Sequence, residues 1–159
     1  MALDVKRELL RHLVATVAYR GGIAISDASE NFALFRVNET TRTPGEILAH
    51  VGDLLDWALC IAKGEYVYKE AAPLPWDEEV VRFFAALTNL DSYLASDAPL
   101  GYPAEKIFQG PIADALTHVG QISMRRIAGA PVRGENYFKA EIVIGRVGPE
   151  QSTKRAEFD

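Results

Sequence analysis

Apolar residues recur at spacings of three and four through four stretches of this chain, the period of helices that bury one face. Leu3, Leu9, Leu10, Leu13, Val14, Val17 and Ala18 form the first stripe, over residues 3–20, with Gly21-Gly22 as its expected stop. The period then lapses from 21 to 42, where Ser26, Asp27, Asn31, Asn38, Thr40 and Thr41 accumulate and predict a long connection. A second helix has the strongest start signal: Thr43 as N-cap, Pro44 at the first helical position and Glu46 three residues after the cap. It is predicted to run to about Lys63, with Gly64 as its stop. Ile47, Leu48, Val51, Leu54, Leu55, Ala58, Leu59 and Ile61 give it a wide apolar face, and His50 falls on that face between Ile47 and Leu54.

Beyond a linker holding Pro73 and Pro75, Asp77 is expected to open a third helix that buries Val80, Val81, Phe83, Phe84, Leu87, Leu90 and Leu94 and ends near Asp97. Pro103 starts a short turn through Phe108, and Gly110-Pro111 breaks or kinks the chain before a fourth helix from about Ile112 to Ala128, stopped by Gly129. Residues 137–144 read as an extended segment packed on the helices. The prediction is an all-α four-helix bundle with long connections, a single domain over residues 1–148 and a flexible charged tail over 149–159.

Composition narrows the class. At 159 residues, 48 % apolar and 25 % charged, the chain has the globular balance of one domain with its own core. Seventeen basic residues against 22 acidic ones give a net charge of −5, and the basic residues are scattered, which argues against nucleic acid or an anionic membrane as partner. Cys60, the single cysteine, precludes an intrachain disulfide. With no secretory apolar segment and no apolar run of the roughly 20 residues needed to span a bilayer, a cytoplasmic protein is expected.

Chemistry enters with an echo: His50-Val51-Gly52 and His118-Val119-Gly120, each inside a helical pattern. Glycine in a helix interior costs about 1 kcal/mol relative to alanine, so the repeat suggests helices that approach closely and aim both imidazoles at one point. Asp114 lies four residues before His118, about 6 Å along a helix axis and roughly 40° around it, on the same face. His50, Asp114 and His118 are therefore the candidate metal ligands, and a set of three would leave an open coordination position of the catalytic kind. Imidazole suits Zn, Ni, Cu and Fe, and two histidines with one carboxylate also suit non-haem Fe(II).

The same residues admit plainer roles: a core histidine with a satisfied hydrogen bond, and an intrahelical Asp–His contact. His12, between Leu9 and Leu13, rivals Asp114 as third ligand, and Asp53 is a weaker rival, better read as a solvated or supporting carboxylate. Gln121, three residues after His118, is placed to hold a ligand or substrate. Cys60 stands ten residues, about 15 Å, beyond His50 and reads as an inert thiol. Arg125 and Arg126 complement a helix dipole, and Trp57 and Trp76 read as core or interface anchors. No phosphate-binding glycine loop, serine nucleophile elbow or paired-cysteine zinc motif is present.

The run Asp114-Ala115-Leu116-Thr117-His118-Val119-Gly120-Gln121, followed by Arg125-Arg126 and Gly129, resembles the last core helix of the DinB superfamily, which includes the YfiT-like proteins. Thr43-Pro44-Gly45-Glu46-Ile47-Leu48-Ala49-His50 is similar to its second helix. The resemblance implies a four-helix bundle, frequently dimeric, holding divalent Ni or Zn through one histidine of the second helix and two of the fourth. His50 matches the first of these and His118 the last, while Asp114 stands where the family commonly has its middle histidine. It further implies a small-molecule substrate and a metal-activated low-molecular-weight thiol, as in thiol S-transferases and isomerases. A hydrolase, or a bundle that binds a ligand or partner without catalysis, is the other expectation.

Overall fold

The computed structural model describes residues 4–126 and 134–154; the predicted stop at Gly129 and the side chains of Arg125 and Arg126 lie outside the described part. Every regular element among the described residues is helical: α1 (Val5–Ile25), α2 (Glu30–Ala33), α3 (Pro44–Ala62), α4 (Trp76–Ala95), α5 (Ala104–Ile107), a π-helical turn (Phe108–Ile112) and α6 (Ala113–Arg126). The four long helices close a ring of contacts in the order α1, α4, α3, α6, each touching two neighbours. Leu10, Leu48, Leu55, Phe83, Leu87, Leu90, Ile107, Ile112 and Ile122 fill the space between them, each less than about a fiftieth exposed.

Local chemistry explains most boundaries. Asp4 caps α1 by accepting from the backbone N–H groups of Lys6 and Arg7. At α3 both halves of the capping box form, with Glu46 N–H donating to Thr43 Oγ1 at 3.1 Å and Thr43 N–H to Glu46 Oε2 at 2.7 Å. Gly64 follows the C-cap of α3 with φ +90°, and Gly101 packs against it so closely that a Cβ would lie 2.1 Å from its Cα. The capping box and this glycine stop are where the sequence pattern places them.

Three boundaries differ from the pattern. Helix α1 does not stop at Gly21-Gly22 but continues to Ile25, because Gly21 is a packing position: a Cβ there would lie 2.5 Å from Cζ of the buried Phe83. The expected connection after α1 contains the short α2, capped by Ser29 and abutting α3. At Gly110-Pro111 the chain neither breaks nor turns off: α5 runs through the π-helical turn directly into α6. Proline lacks a backbone donor and crowds the carbonyl one turn earlier, and the wider turn accommodates it, with Ala113 N–H reaching back to Phe108 O.

The segment after residue 133 contains turns and no strand among its described residues. It packs against α1, with buried Tyr19 donating to Glu135 Oε2 at 2.7 Å, the Arg20 guanidinium 4.0 Å from the Tyr137 ring centre, and Val147 entering the core. No helix among the described residues is long and apolar enough to cross a membrane.

Candidate metal centre

Helices α3 and α6 are neighbours in the ring, and the contact brings His50 against His118 with ring centres 4.7 Å apart and planes at 85°. His118 Nε2 lies 3.4 Å from Asp114 Oδ1, and one ligand atom from each of His50, Asp114 and His118 falls within 4.8 Å of the other two. Two ligands bonded at about 2.1 Å to one tetrahedral ion stand about 3.4 Å apart, so the Asp114–His118 pair already has the spacing of a coordination edge. This group could hold a metal ion. Both histidines are half-buried and Asp114 is exposed, so the ion would sit at the rim of the helices with one side open to solvent.

Each imidazole is held through its Nδ1. Tyr68 Oη lies 3.2 Å from His50 Nδ1, and Gln121 Oε1 lies 2.8 Å from His118 Nδ1. Since an amide oxygen only accepts, His118 donates from Nδ1, and the lone pair that remains for a cation is on Nε2, the atom facing Asp114. With its proton likewise on Nδ1, His50 donates to the Tyr68 oxygen and frees its own Nε2. A ligating histidine whose other nitrogen is anchored is the recurrent arrangement in metal sites.

Electrostatics favour the ligating form of His50. Burial first, then the neighbouring His118 and Arg42, hold its pKa below the ordinary histidine value, against the opposing pull of Asp114 and Asp53. The imidazole is therefore neutral near pH 7. Burial, followed by the charges of Asp53 and Glu70, raises the Tyr68 phenol above its ordinary value and keeps it protonated.

A charged cluster behind the site fixes these parts. Asp53 is 2 % exposed and takes Arg82 Nη2 at 2.5 Å and Ala71 N–H at 3.3 Å, while Glu79, fully buried, accepts Leu74 N–H at 2.8 Å. The same guanidinium reaches Asp56 and Ala49 O. Asp53 and Glu79 thus fasten the segment between α3 and α4, which carries Tyr68, to the helices it connects. Gly52 belongs to this cluster: a Cβ on it would lie 3.1 Å from Arg82 Cζ. Gly120, its counterpart in the echo, is exposed with nothing among the described residues within 4 Å of a Cβ there, so close packing accounts for one glycine and not the other.

Of the remaining candidates, His12 is exposed on α1, away from the buried face of Leu10, Val14, Val17 and Ala18, and does not join the site. Asp53 is a buried ion-pair partner rather than a solvated carboxylate. Cys60 is partly buried and free. Trp76 is a core residue stacked edge-on against Phe32, whereas Trp57 is half-buried among tyrosines. Tyr68 had no sequence signal, since it lies in an aperiodic connection. Open space of about 330 Å³ adjoins His50, lined by Arg36, Arg42, Glu46, Asp53 and Glu70 among others. No family model matches the chain, and neither curated proteins nor solved structures show a significant similarity to it.

Proposed function

We propose that this chain is a divalent-metal-dependent enzyme of the DinB type, a four-helix bundle in which His50, Asp114 and His118 hold Zn or Ni, with Fe also compatible with the donor set. The observation that carries the reading is the meeting of these three side chains from two helices within 4.8 Å, each imidazole anchored through Nδ1. When bound, such an ion supplies a Lewis acid that shifts a thiol or water towards its nucleophilic, deprotonated form. Tyr68 and Gln121 orient the rings, Asp114 offsets one positive charge, and the open side of the site admits a small-molecule substrate. The reaction class is thiol S-transfer with a low-molecular-weight thiol, or hydrolysis, performed by a homodimer. The competing reading, a bundle that binds a ligand without catalysis, draws on the 49 % exposure of the Asp114 side chain, which weakens its hold on a cation.

Elemental analysis of the purified protein, beside His50→Ala and His118→Ala, tests the site. About one equivalent of Zn or Ni in the parent and its loss in both variants is expected; equal metal content in all three removes the site. Metal-dependent consumption of a low-molecular-weight thiol in the presence of an electrophile separates the enzyme from the binding protein, and a sizing column reads the dimer.

A further inference from the structure

Five charged side chains among the described residues line the space of about 330 Å³ beside His50, and three of them are already engaged. Arg36 Nη2 meets Glu46 Oε1 at 3.0 Å, and Asp53 takes the Arg82 guanidinium. Arg42 and Glu70 are left, of opposite sign, and neither has an ionic partner among the described residues. The floor of the cleft is one face of α3, from Glu46 through Ala49 and His50 to Asp53. The connection leading into α3 contributes Arg42 to the lining and the connection leaving it contributes Glu70, and no ion pair closes the gap between them.

Each of the two is mounted beside a fixed point. Arg42 immediately precedes Thr43, whose backbone N–H and hydroxyl are both held in the capping box of α3, and the turn before it is closed by Asn38 Oδ1, which accepts from the N–H groups of Thr40 and Thr41. Glu70 immediately precedes Ala71, whose N–H is held by the buried Asp53. Both residues are exposed, so each can be met from solvent. Both charges also reach the place where Tyr68 meets His50: Glu70 raises and Arg42 lowers the pKa of the Tyr68 phenol, and Arg42 opposes protonation of His50. A cation and an anion on fastened backbone, each left unpaired by the other, describe the complement of a molecule with one group of each sign.

We infer that this cleft binds the head of a small amino acid, its carboxylate on the Arg42 guanidinium, its ammonium on the Glu70 carboxylate and its side chain directed at His50. A guanidinium offers a carboxylate two parallel donors, which fixes the orientation of the head. The space lies at the bottom of the range of small-molecule sites, enough for a molecule of this size and too little for a long peptide. On the metal-dependent reading given above, on which this step rests, the thiol of the reaction is then of the cysteine kind, with free α-amino and carboxyl groups.

The test begins with the full chain freed of metal by a chelator and with S-methylcysteine as probe, its binding read by ligand-observed NMR. Saturable binding is expected, weakened about threefold by Arg42→Gln and likewise by Glu70→Gln, surface changes that leave the fold intact. Cobalt-loaded protein then reads the direction of the sulfur through the absorption of a thiolate on Co(II). Arg42→Gln is expected to weaken 3-mercaptopropionate about threefold and to leave cysteamine unchanged, and Glu70→Gln to do the reverse. Absence of saturable S-methylcysteine binding overturns the inference, as does equal affinity in the parent and both variants, or a thiol preference that ignores both substitutions. Failure to take up cobalt, with S-methylcysteine bound as expected, removes the metal centre and keeps the amino-acid cleft, so the two readings fail separately.

Discussion

Replacing Gly52 and Gly120 by alanine, one at a time, should move stability in opposite directions although both glycines follow a His-Val pair inside a helix. At Gly120 nothing among the described residues lies within 4 Å of the added Cβ, so the variant collects the helix-propensity gain of about 1 kcal/mol without a contact. For a chain of this size that is roughly 2–4 °C in Tm. At Gly52 the same gain is opposed by the Arg82 guanidinium, whose Cζ, Nε and Nη1 lie 3.1, 3.2 and 3.2 Å from the new methyl. The guanidinium cannot retreat freely, because Asp53 at 2.5 Å, Asp56 at 3.1 Å and Ala49 O at 3.3 Å hold it from three sides. Weakening one charge-assisted hydrogen bond there costs about 1.5–3 kcal/mol, for a net loss of about 1 kcal/mol after the propensity gain. Urea denaturation in the presence of a chelator, which removes stabilisation by bound metal, should place the two midpoints on either side of the parent at unchanged slope. If Gly52→Ala stabilises as much as Gly120→Ala, Arg82 is not held over Gly52 and the account of the charged cluster is wrong.

The cluster and the site yield further expectations. Asp53→Ala should destabilise by about 3 kcal/mol, since it strips the partly buried Arg82 guanidinium of its closest partner and the Ala71 N–H of its acceptor; a loss below about 1 kcal/mol in the same urea assay would show that Asp56 and Glu79 suffice. Gln121→Leu and Tyr68→Phe should each lower metal affinity about 10–100-fold in a competition titration against a chelating dye, and unchanged affinity in both would mean that the Nδ1 contacts do not orient the rings. The Glu46 carboxyl is held below its ordinary value of 4.5 by the Thr43 backbone N–H first and by the Arg36 guanidinium besides. Its stabilising contribution is thus complete above that ordinary value and lost as pH falls through the lower folded one. The Tm difference between the parent and Glu46→Gln should be widest at neutral pH and close under acid conditions, and a difference constant from pH 3 to pH 8 would rule this out.

How legible the molecule was depended on whether a signal was local. The cap of α3 is spelled out by Thr43, Pro44 and Glu46 within four residues, and the facing of His50 follows from its apolar neighbours on the same helix. Asp114 and His118 needed only helical spacing to share a face, and their meeting with His50 needed the further fact that α3 and α6 are neighbours. Gly21 was misread because a glycine that ends a helix and one that admits a phenyl ring look alike until Phe83 arrives from a helix sixty residues later. His12 looked inward because Leu9 was counted in the buried stripe, whereas Leu9 is 58 % exposed and the true face is centred on Leu10, Val14 and Val17. Tyr68 and the Asp53–Arg82 pair are long-range arrangements with no periodic trace at all.

The widened turn at Phe108–Ile112 sets the phase of everything after it. Each residue of an α-helix turns the chain by about 100° and each residue of the wider turn by only about 80°, so straightening its five residues into ordinary α-helix, with none removed, would swing Asp114 and His118 about a quarter-circle away from His50. Ala115, Val119 and Ile122, now buried, would rotate with them towards solvent. The hydrophobic core and the three candidate metal ligands are therefore indexed by one element: the turn that accommodates Pro111 is also the clockwork that decides which side of α6 faces α3, and neither can be re-registered without the other.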